Sequence, residues 1–508
     1  MHVFEWTILL LVGAVVLTAL ARSLKMPYPS LLALGGVVLA FVPDSPVFAL
    51  DPALTLALFV APVLLDAAFD TSLRDLKRSW VPVTCLVFVA VGITTVAVAW
   101  LVRQFVPDMP WAAAIALGAI VAPPDAAAAS AILRNLQIPH RMIVILEGES
   151  LLNDATALLI YRIAVGVAMG AAFTPGTAAL QGLAMLLSVP AGILLAHLST
   201  RLVRMITDVP SSIVLQFAMA FGVWILADEI HLSAIVTLVA FAITAARITP
   251  ESTPPQLRLP SYAVWETSVF VLNVLAFVLI GLQVRPILAA LDPDVRIDYL
   301  QIAAAVLGIA VFVRIAWVLT YNRIAHFKTR WFGAGKWPGE YRPTLRGSTV
   351  VSWCGMRGIV TLATAYALPL EFPHRDLALL CAFTVVVGTL IVQGLTLRPL
   401  ILAMKLSHDG AVEKEIHLAR EALAMVAAEV LDGDGSETAA VLRVEFVVNV
   451  EAEEDGTVSE RRARNDLRAR ILAAQRRALV RLRDTQQIGD DAFHRIEERL
   501  DWAEVNVR

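Results

Sequence analysis

The chain is 508 residues long, 58% hydrophobic and 17% charged, with a mean hydropathy of +0.71. An ordinary soluble domain is about half apolar and about a quarter charged, so a soluble enzyme, a secreted globular protein, a DNA-binding domain and a fibre are all excluded. The net charge of −3 divides unevenly: residues 406–508 hold 22 acids against 15 bases, and residues 1–405 carry a small positive balance.

Residues 1–405 read as an all-α polytopic membrane domain, and residues 406–508 as a small charged tail. The membrane part is a succession of apolar stretches of roughly 17–28 residues, enough to cross a hydrocarbon layer of about 30 Å as helices. Thirteen are predicted: 5–22, 28–43, 51–69, 80–105, 111–133, 142–169, 177–205, 211–228, 232–248, 262–290, 298–324, 346–369 and 376–404. The first has no basic residue before it and no small-residue cleavage site, so it is expected to be a retained span. Lys and Arg alternate between successive loops. Arg22 and Lys25, the 74–78 run, Arg134 and Arg141, Arg201 and Arg204, Arg247 and Arg258, and the 323–346 cluster all fall on one side. The positive-inside rule then predicts an outside N-terminus and a cytoplasmic tail. Trp6, Trp80 and Trp111 lie near span ends, where they anchor the chain at the interface.

Four spans carry polar groups that are costly within a bilayer and so mark either a functional site or a structural pair. The third ends APVLLDAAFD, with Asp66, which could also cap a helix or pair with an arginine. The fifth reads GAIVAPPDAAAASAIL, where Pro123 and Pro124 remove two backbone donors. Asp125 after them could be the N-cap of the second half of that span, which need not exclude a role near a bound ion. The sixth opens EGESLLNDATALL, and the twelfth is STVVSWCGMRGIVTLATAYALP, with Arg357 between glycines.

Residues four apart share a helix face, so Glu149 and Asn153 form one stripe of the sixth span, and Ser150 and Asp154 the next. A guanidinium stays charged in any environment and matches a carboxylate. The first stripe is therefore expected to pair with Arg357 as a structural network, while Ser150 and Asp154 form a transport site. Arg162 and Arg314 are expected to pair with acids or to snorkel. Broken backbone at membrane depth survives only where it is buried in protein or lines a cavity, and carbonyls freed near Pro124 can coordinate a cation. The fifth and twelfth spans are thus two broken, crossing helices. Their separation by seven fits two six-helix inverted repeats and one extra helix.

In the tail, helices are expected at about 411–431, 458–485 and 489–504, with a strand or short helix near 439–450. The arginine-dense 461–483 stretch could lie on anionic lipid, stay solvated or form a dimer contact. HExxH, GxSxG and CxxC are absent from the chain, which argues against an intramembrane enzyme.

EGESLLNDATALL, together with APVLLDAAFDTSLRDLKRSW, GAIVAPPDAAAASAIL, WETSVFVLNVLAFVLIGLQ, WCGMRGIVTLATAYALP and FTVVVGTLIVQGLTLRPLI, resembles the electroneutral sodium/proton antiporters, the branch holding bacterial NhaP-type proteins and animal exchangers. The likeness spans nearly the whole membrane part. It implies a thirteen-helix protomer in a homodimer of the bacterial plasma membrane, a core moving against a dimerisation domain, and exchange of one cation for one proton. It further implies that Asp154 binds either ion, with Ser150, Asp66 and the backbone near Pro124 as co-ligands and Glu149, Asn153 and Arg357 as a stabilising bridge. The metal ligands would be Asp154, Ser150 and Asp66, holding a transported Na+ (or Li+ or K+). The resemblance calls for no resident cofactor and no nucleic acid, and any ligand of the tail is unknown. Most members read Thr–Asp–Pro where this chain has Pro124–Asp125–Ala126, and Glu is commoner at Asp66; both changes bear on cation preference. The alternatives are a K+/H+ antiporter of the same fold, a cation channel or a solute symporter.

Overall fold

A segment in hydrocarbon must satisfy its own backbone polar groups, and a helix does so within one segment. The computed structural model describes residues 2–43, 51–133, 136, 138–172, 174–252, 255–332, 344–406, 410 and 475. Among the described residues no strand occurs, and helix stands in every one of the thirteen predicted stretches.

In chain order these are α1 (His2–Leu24), α2 (Tyr28–Ala40), α3 (Pro52–Phe69), the short α4 (Leu73–Arg78), α5 (Trp80–Phe105), α6 (Trp111–Val121), α7 (Ala126–Leu133) and α8 (His140–Ala168). Then follow α9 (Pro175–Val203), α10 (Val209–Glu229), α11 (Ala234–Ser252), α12 (Pro255–Leu282), α13 (Val284–Ala290), α14 (Arg296–Phe332), α15 (Leu345–Trp353), α16 (Ile359–Tyr366) and α17 (Arg375–Met404). Eight helices are long and apolar enough to cross a membrane. Shorter apolar helices, Ile8–Leu24, Tyr28–Ala40, Trp111–Val121 and Ala234–Thr249, fill four more of the predicted stretches. The twelfth stretch is divided into α15 and α16.

Local chemistry sets the boundaries. Asp51, Thr174, Asp208 and Thr344 each accept a hydrogen bond from the backbone N–H three residues on, at 2.8, 3.2, 2.9 and 3.1 Å, and so cap helices with orphan donors. Three of these caps are followed within two residues by proline, whose missing N–H costs nothing in the first turn. Deeper in α3, Pro62 lacks the donor its turn needs, and the helix widens to a π turn over Leu56–Val60 just before it. A π turn of this kind is a recurrent mark of functional helices.

α6 sits at the centre of the packing, with every residue from Ala116 to Val121 buried. Its small side chains permit close approach: a Cβ added to Gly118 would stand 2.9 Å from Thr95 Cα on α5. Gly36 of α2 meets Gly281 of α12 in the same manner, with 3.0 Å to Cα. Without a hydrophobic drive between helices in lipid, such small-residue contacts supply the packing. At the periphery α9 turns Leu180, Leu186 and Leu194 outward, the surface lipid would cover.

Beside the bundle, α4 is clasped to the start of α8 by His140 Nε2 and Asp75 Oδ2, 3.3 Å apart. Partial burial pushes the Asp75 carboxyl up, but the donors Arg74, His140 and Ser72 outweigh it and hold that group below its ordinary range.

The chain divides into two units, Met1–Asp409 and Gly410–Arg508. Apart from residue 475, the predicted tail helices, the 439–450 element and the arginine-dense 461–483 stretch lie outside the described residues.

Candidate functional site: two broken helices beside Asp154

The fifth span breaks over residues 122–125 and the twelfth over 354–358, and the breaks meet. The Asp125 N–H donates to Met356 O at 2.6 Å. A break frees carbonyls at the C-terminal end of the first half-helix, and each needs a donor. Arg357 supplies them on one side: its Nε donates to Val121 O at 3.1 Å and its Nη1 to Gly355 O, while its own N–H donates to Thr389 Oγ1 at 3.0 Å. Arg314 supplies them on the other, with Nη2 reaching Val351 O and Cys354 O at 3.3 and 3.4 Å. Asn153 Nδ2 donates to Pro124 O at 2.8 Å. One guanidinium therefore sits at the carbonyl end of each first half-helix, where the helix dipole favours a cation.

This arrangement corrects the expected pairing of Glu149 with Arg357. Glu149 is buried and bound in bidentate fashion by Arg314, at 2.5 and 2.9 Å. Arg357 is held in the interrupted segment, where the carbonyls of its own break and of α6 are its acceptors. Glu149, Asn153 and Arg357 do all belong to the packing around the breaks, but the carboxylate's partner comes from α14. The expectation that Arg314 pairs with an acid matches what is seen. Arg162 likewise pairs with Asp228, at 3.0 Å.

Asp154 is 8% exposed and lines a cavity of about 760 Å³ that also takes in Asp66, Asp125 and Ser150. Four of the five expected ion-site residues thus line one cavity. Pro124 is the exception. It is buried, and its carbonyl accepts from Asn153, because a carbonyl freed by the break is filled by the nearest amide donor. Asp125 occupies the position just before α7 and lines the cavity. Its carboxylate lies where a Cβ on Gly358 would be. Among the described residues no three His, Cys, Asp or Glu side chains stand close enough to cage a metal. Asp66, Ser150 and Asp154 share an open cavity.

Two further residues line this cavity that carried no assigned role in the sequence: Glu266 and Asn273 of α12. They are seven apart, two turns on one face, and that spacing within WETSVFVLN was the available signal. Glu147 and Asp70 add carboxylates to the lining, and Arg22, Lys25 and Arg398 are its basic residues. Acids outnumber bases, and a cleft lined by one sign of charge raises the local concentration of counter-ions.

A second cavity, of about 600 Å³, is lined by Asp51, Leu56, Ala155, Arg162, Asp228 and Thr364, among others. Three helices run from one cavity into the other. α3 passes from Leu56 to Phe59 within its π turn, α16 from Val360 to Thr364, and α8 from Asp154 to Ala155. On α8 the divide is a single residue, about 1.5 Å of helix rise.

Residues 8–403 match the family described as "Sodium/hydrogen exchanger, transmembrane". A Na(+)/H(+) exchanger of Mycobacterium tuberculosis, itself described as uncharacterized, is 30% identical over 98% of this chain and 95% of its own. The "Sodium, potassium, lithium and rubidium/H(+) antiporter" of Bacillus subtilis is 28% identical over 94% of this chain and 74% of its own. Among solved structures, the sodium proton antiporter MjNhaP1 of Methanocaldococcus jannaschii superposes with a TM-score of 0.58 at 17% identity, covering 80% of this chain and 99% of that one, a likeness of fold. With the match running through both broken helices and the Asp154 segment, the chain belongs to the sodium/hydrogen exchanger family.

Proposed function

We propose that this protein exchanges Na+ for H+ across the bacterial plasma membrane, one for one, by letting the two ions compete for Asp154. The observation that carries the reading is the position of that residue: it faces one cavity while its neighbour Ala155 faces the other. A small rocking of α8 with the broken helices is enough to turn the carboxylate from one side to the other. Asp66, Ser150 and Asp125 supply further oxygens on the same wall, the ligand type a hard cation requires. One carboxylate holds either a metal ion or a proton, so whichever is bound crosses and the other returns.

The first cavity is proposed to face the cytoplasm, since it gathers Arg22 and Lys25, which the positive-inside rule places there. A homodimer and a role in pH homeostasis go with this reading. K+/H+ exchange is the second reading, favoured by the broad cation range in the name of the Bacillus subtilis relative and by the loss of a threonine hydroxyl before Asp125. A cation series in a proteoliposome dequenching assay separates the two.

Asp154→Asn is expected to abolish sodium- or lithium-dependent proton movement in proteoliposomes. Near-normal exchange by that variant overturns the reading.

A further inference from the structure

The second cavity has no assigned role. Ala155 and Thr364 both line it, Thr364 four residues after the last α16 position that lines the first cavity. Thr364 is 3% exposed, and its hydroxyl has no hydrogen-bond partner. Gln181 of α9, which lines the same cavity, also has its Oε1 buried without a partner. Two such oxygens on residues of one cavity are unusual, because buried polar atoms are nearly always paired.

The Arg162–Asp228 pair lines the same cavity and invites a different reading, as a lock. Its side chains are 53% and 57% exposed, and an exposed pair is screened by water and contributes too little to hold a helix.

We propose that Thr364 Oγ1, together with Gln181 Oε1 of the same cavity, is an oxygen way-station for a partly dehydrated monovalent cation on the outer half of the path, next to Asp154. The inference rests on the antiport reading and adds a second site to it. A hydroxyl and an amide oxygen are neutral ligands, suited to holding a cation weakly enough to release it to a carboxylate or to the external solution.

The test is sided. Thr364→Val keeps the shape and deletes the oxygen. In right-side-out vesicles it is expected to raise the KM for external Na+ by about threefold to tenfold, equivalent to roughly 0.6–1.4 kcal/mol. In inverted vesicles the KM for cytoplasmic Na+ stays within about twofold of the parent, since that much is the loss of less than one hydrogen bond. Thr364→Ser restores the external KM, and Gln181→Leu shifts it in the direction of the valine variant. An unchanged external KM in Thr364→Val, or an equal rise from both sides, overturns the proposal.

If the valine variant does not accumulate, Thr364→Cys keeps the question open. It is expected to react with a membrane-impermeant methanethiosulfonate added outside, and reaction from the inside alone overturns the assignment. Asp154→Asn, measured alongside, separates the two levels. Exchange surviving in that variant removes the antiport reading, while loss of exchange there together with a symmetric Thr364→Val removes only the way-station.

Discussion

Arg314 and Arg357 lie on either side of Gly355, where a Cβ would stand 2.7 Å from Arg314 Nε and 3.4 Å from Arg357 Nη1. They do different work. Arg314 neutralises Glu149 in a buried ion pair, and deleting one member of such a pair costs about 3–5 kcal/mol because the other charge is stranded. Arg357 donates to backbone carbonyls, whose loss costs about 1–3 kcal/mol per unsatisfied group. Arg314→Ala is therefore expected to lower the thermal midpoint in detergent more than Arg357→Ala does, and Arg314→Ala combined with Glu149→Gln to recover part of the loss. A larger drop for Arg357→Ala, with no recovery in the double variant, would return Glu149 to Arg357. The sequence reveals that Glu149 needs a guanidinium but not which one, since two arginines on different spans satisfy the same chemistry. Only the packing of α14 against α15 and α17 brings Arg314 within reach.

At the level of elements, the crossing of the broken helices depends on a missing side chain. Gly358 has φ −134° and ψ −151°, open to any residue, so what fixes glycine there is space: an added Cβ would overlap the Asp125 carboxyl and stand 3.0 Å from its Cβ. Gly358→Ala must push Asp125 off the cavity wall or part α7 from α16. Exchange is expected to fall at least about tenfold, corresponding to 1.4 kcal/mol of barrier or binding, while far-UV circular dichroism keeps its helical form. Wild-type exchange rates in that variant would show that Asp125 is not held by this contact. The breaks themselves were legible, because adjacent prolines and a glycine-flanked arginine interrupt apolar runs that are otherwise continuous helix. That the Asp125 N–H closes on Met356 O is a fact of the crossing, and no spacing along the chain encodes it.

For the whole molecule the decisive feature is that Asp154 lines one cavity and its neighbour Ala155 lines a second. A site holding one carboxylate charge, loaded in turn with one cation or one proton, moves no net charge per cycle. Clamping the potential of proteoliposomes with valinomycin and K+ at 0 or −100 mV, worth about 2.3 kcal/mol per transferred charge, is expected to leave the Na+-driven rate unchanged within error. A rate that follows voltage would mean that a second group, Asp125 being the nearest in kind, carries a proton through the cycle. On the proposed reading, surplus carboxylates along the first cavity act on this scale too, drawing cations towards Asp154 from solution.

The sequence by itself determined the membrane architecture, the two breaks, the identity of the ion-binding carboxyl as a candidate and the family likeness. The first three follow from local physics: hydrocarbon thickness, the charge of loops, the missing donors of proline and the periodicity of a helix face; the likeness rests on several motifs matching in order. Tertiary structure alone decided which arginine meets Glu149, that Pro124 gives its carbonyl to Asn153, that Glu266 and Asn273 line the same cavity as Asp154, and that a second cavity takes in Ala155 and Thr364. Those are contacts between segments far apart in the chain, and distance in space between helices is set by how their surfaces pack, which no pattern read along one strand of sequence contains.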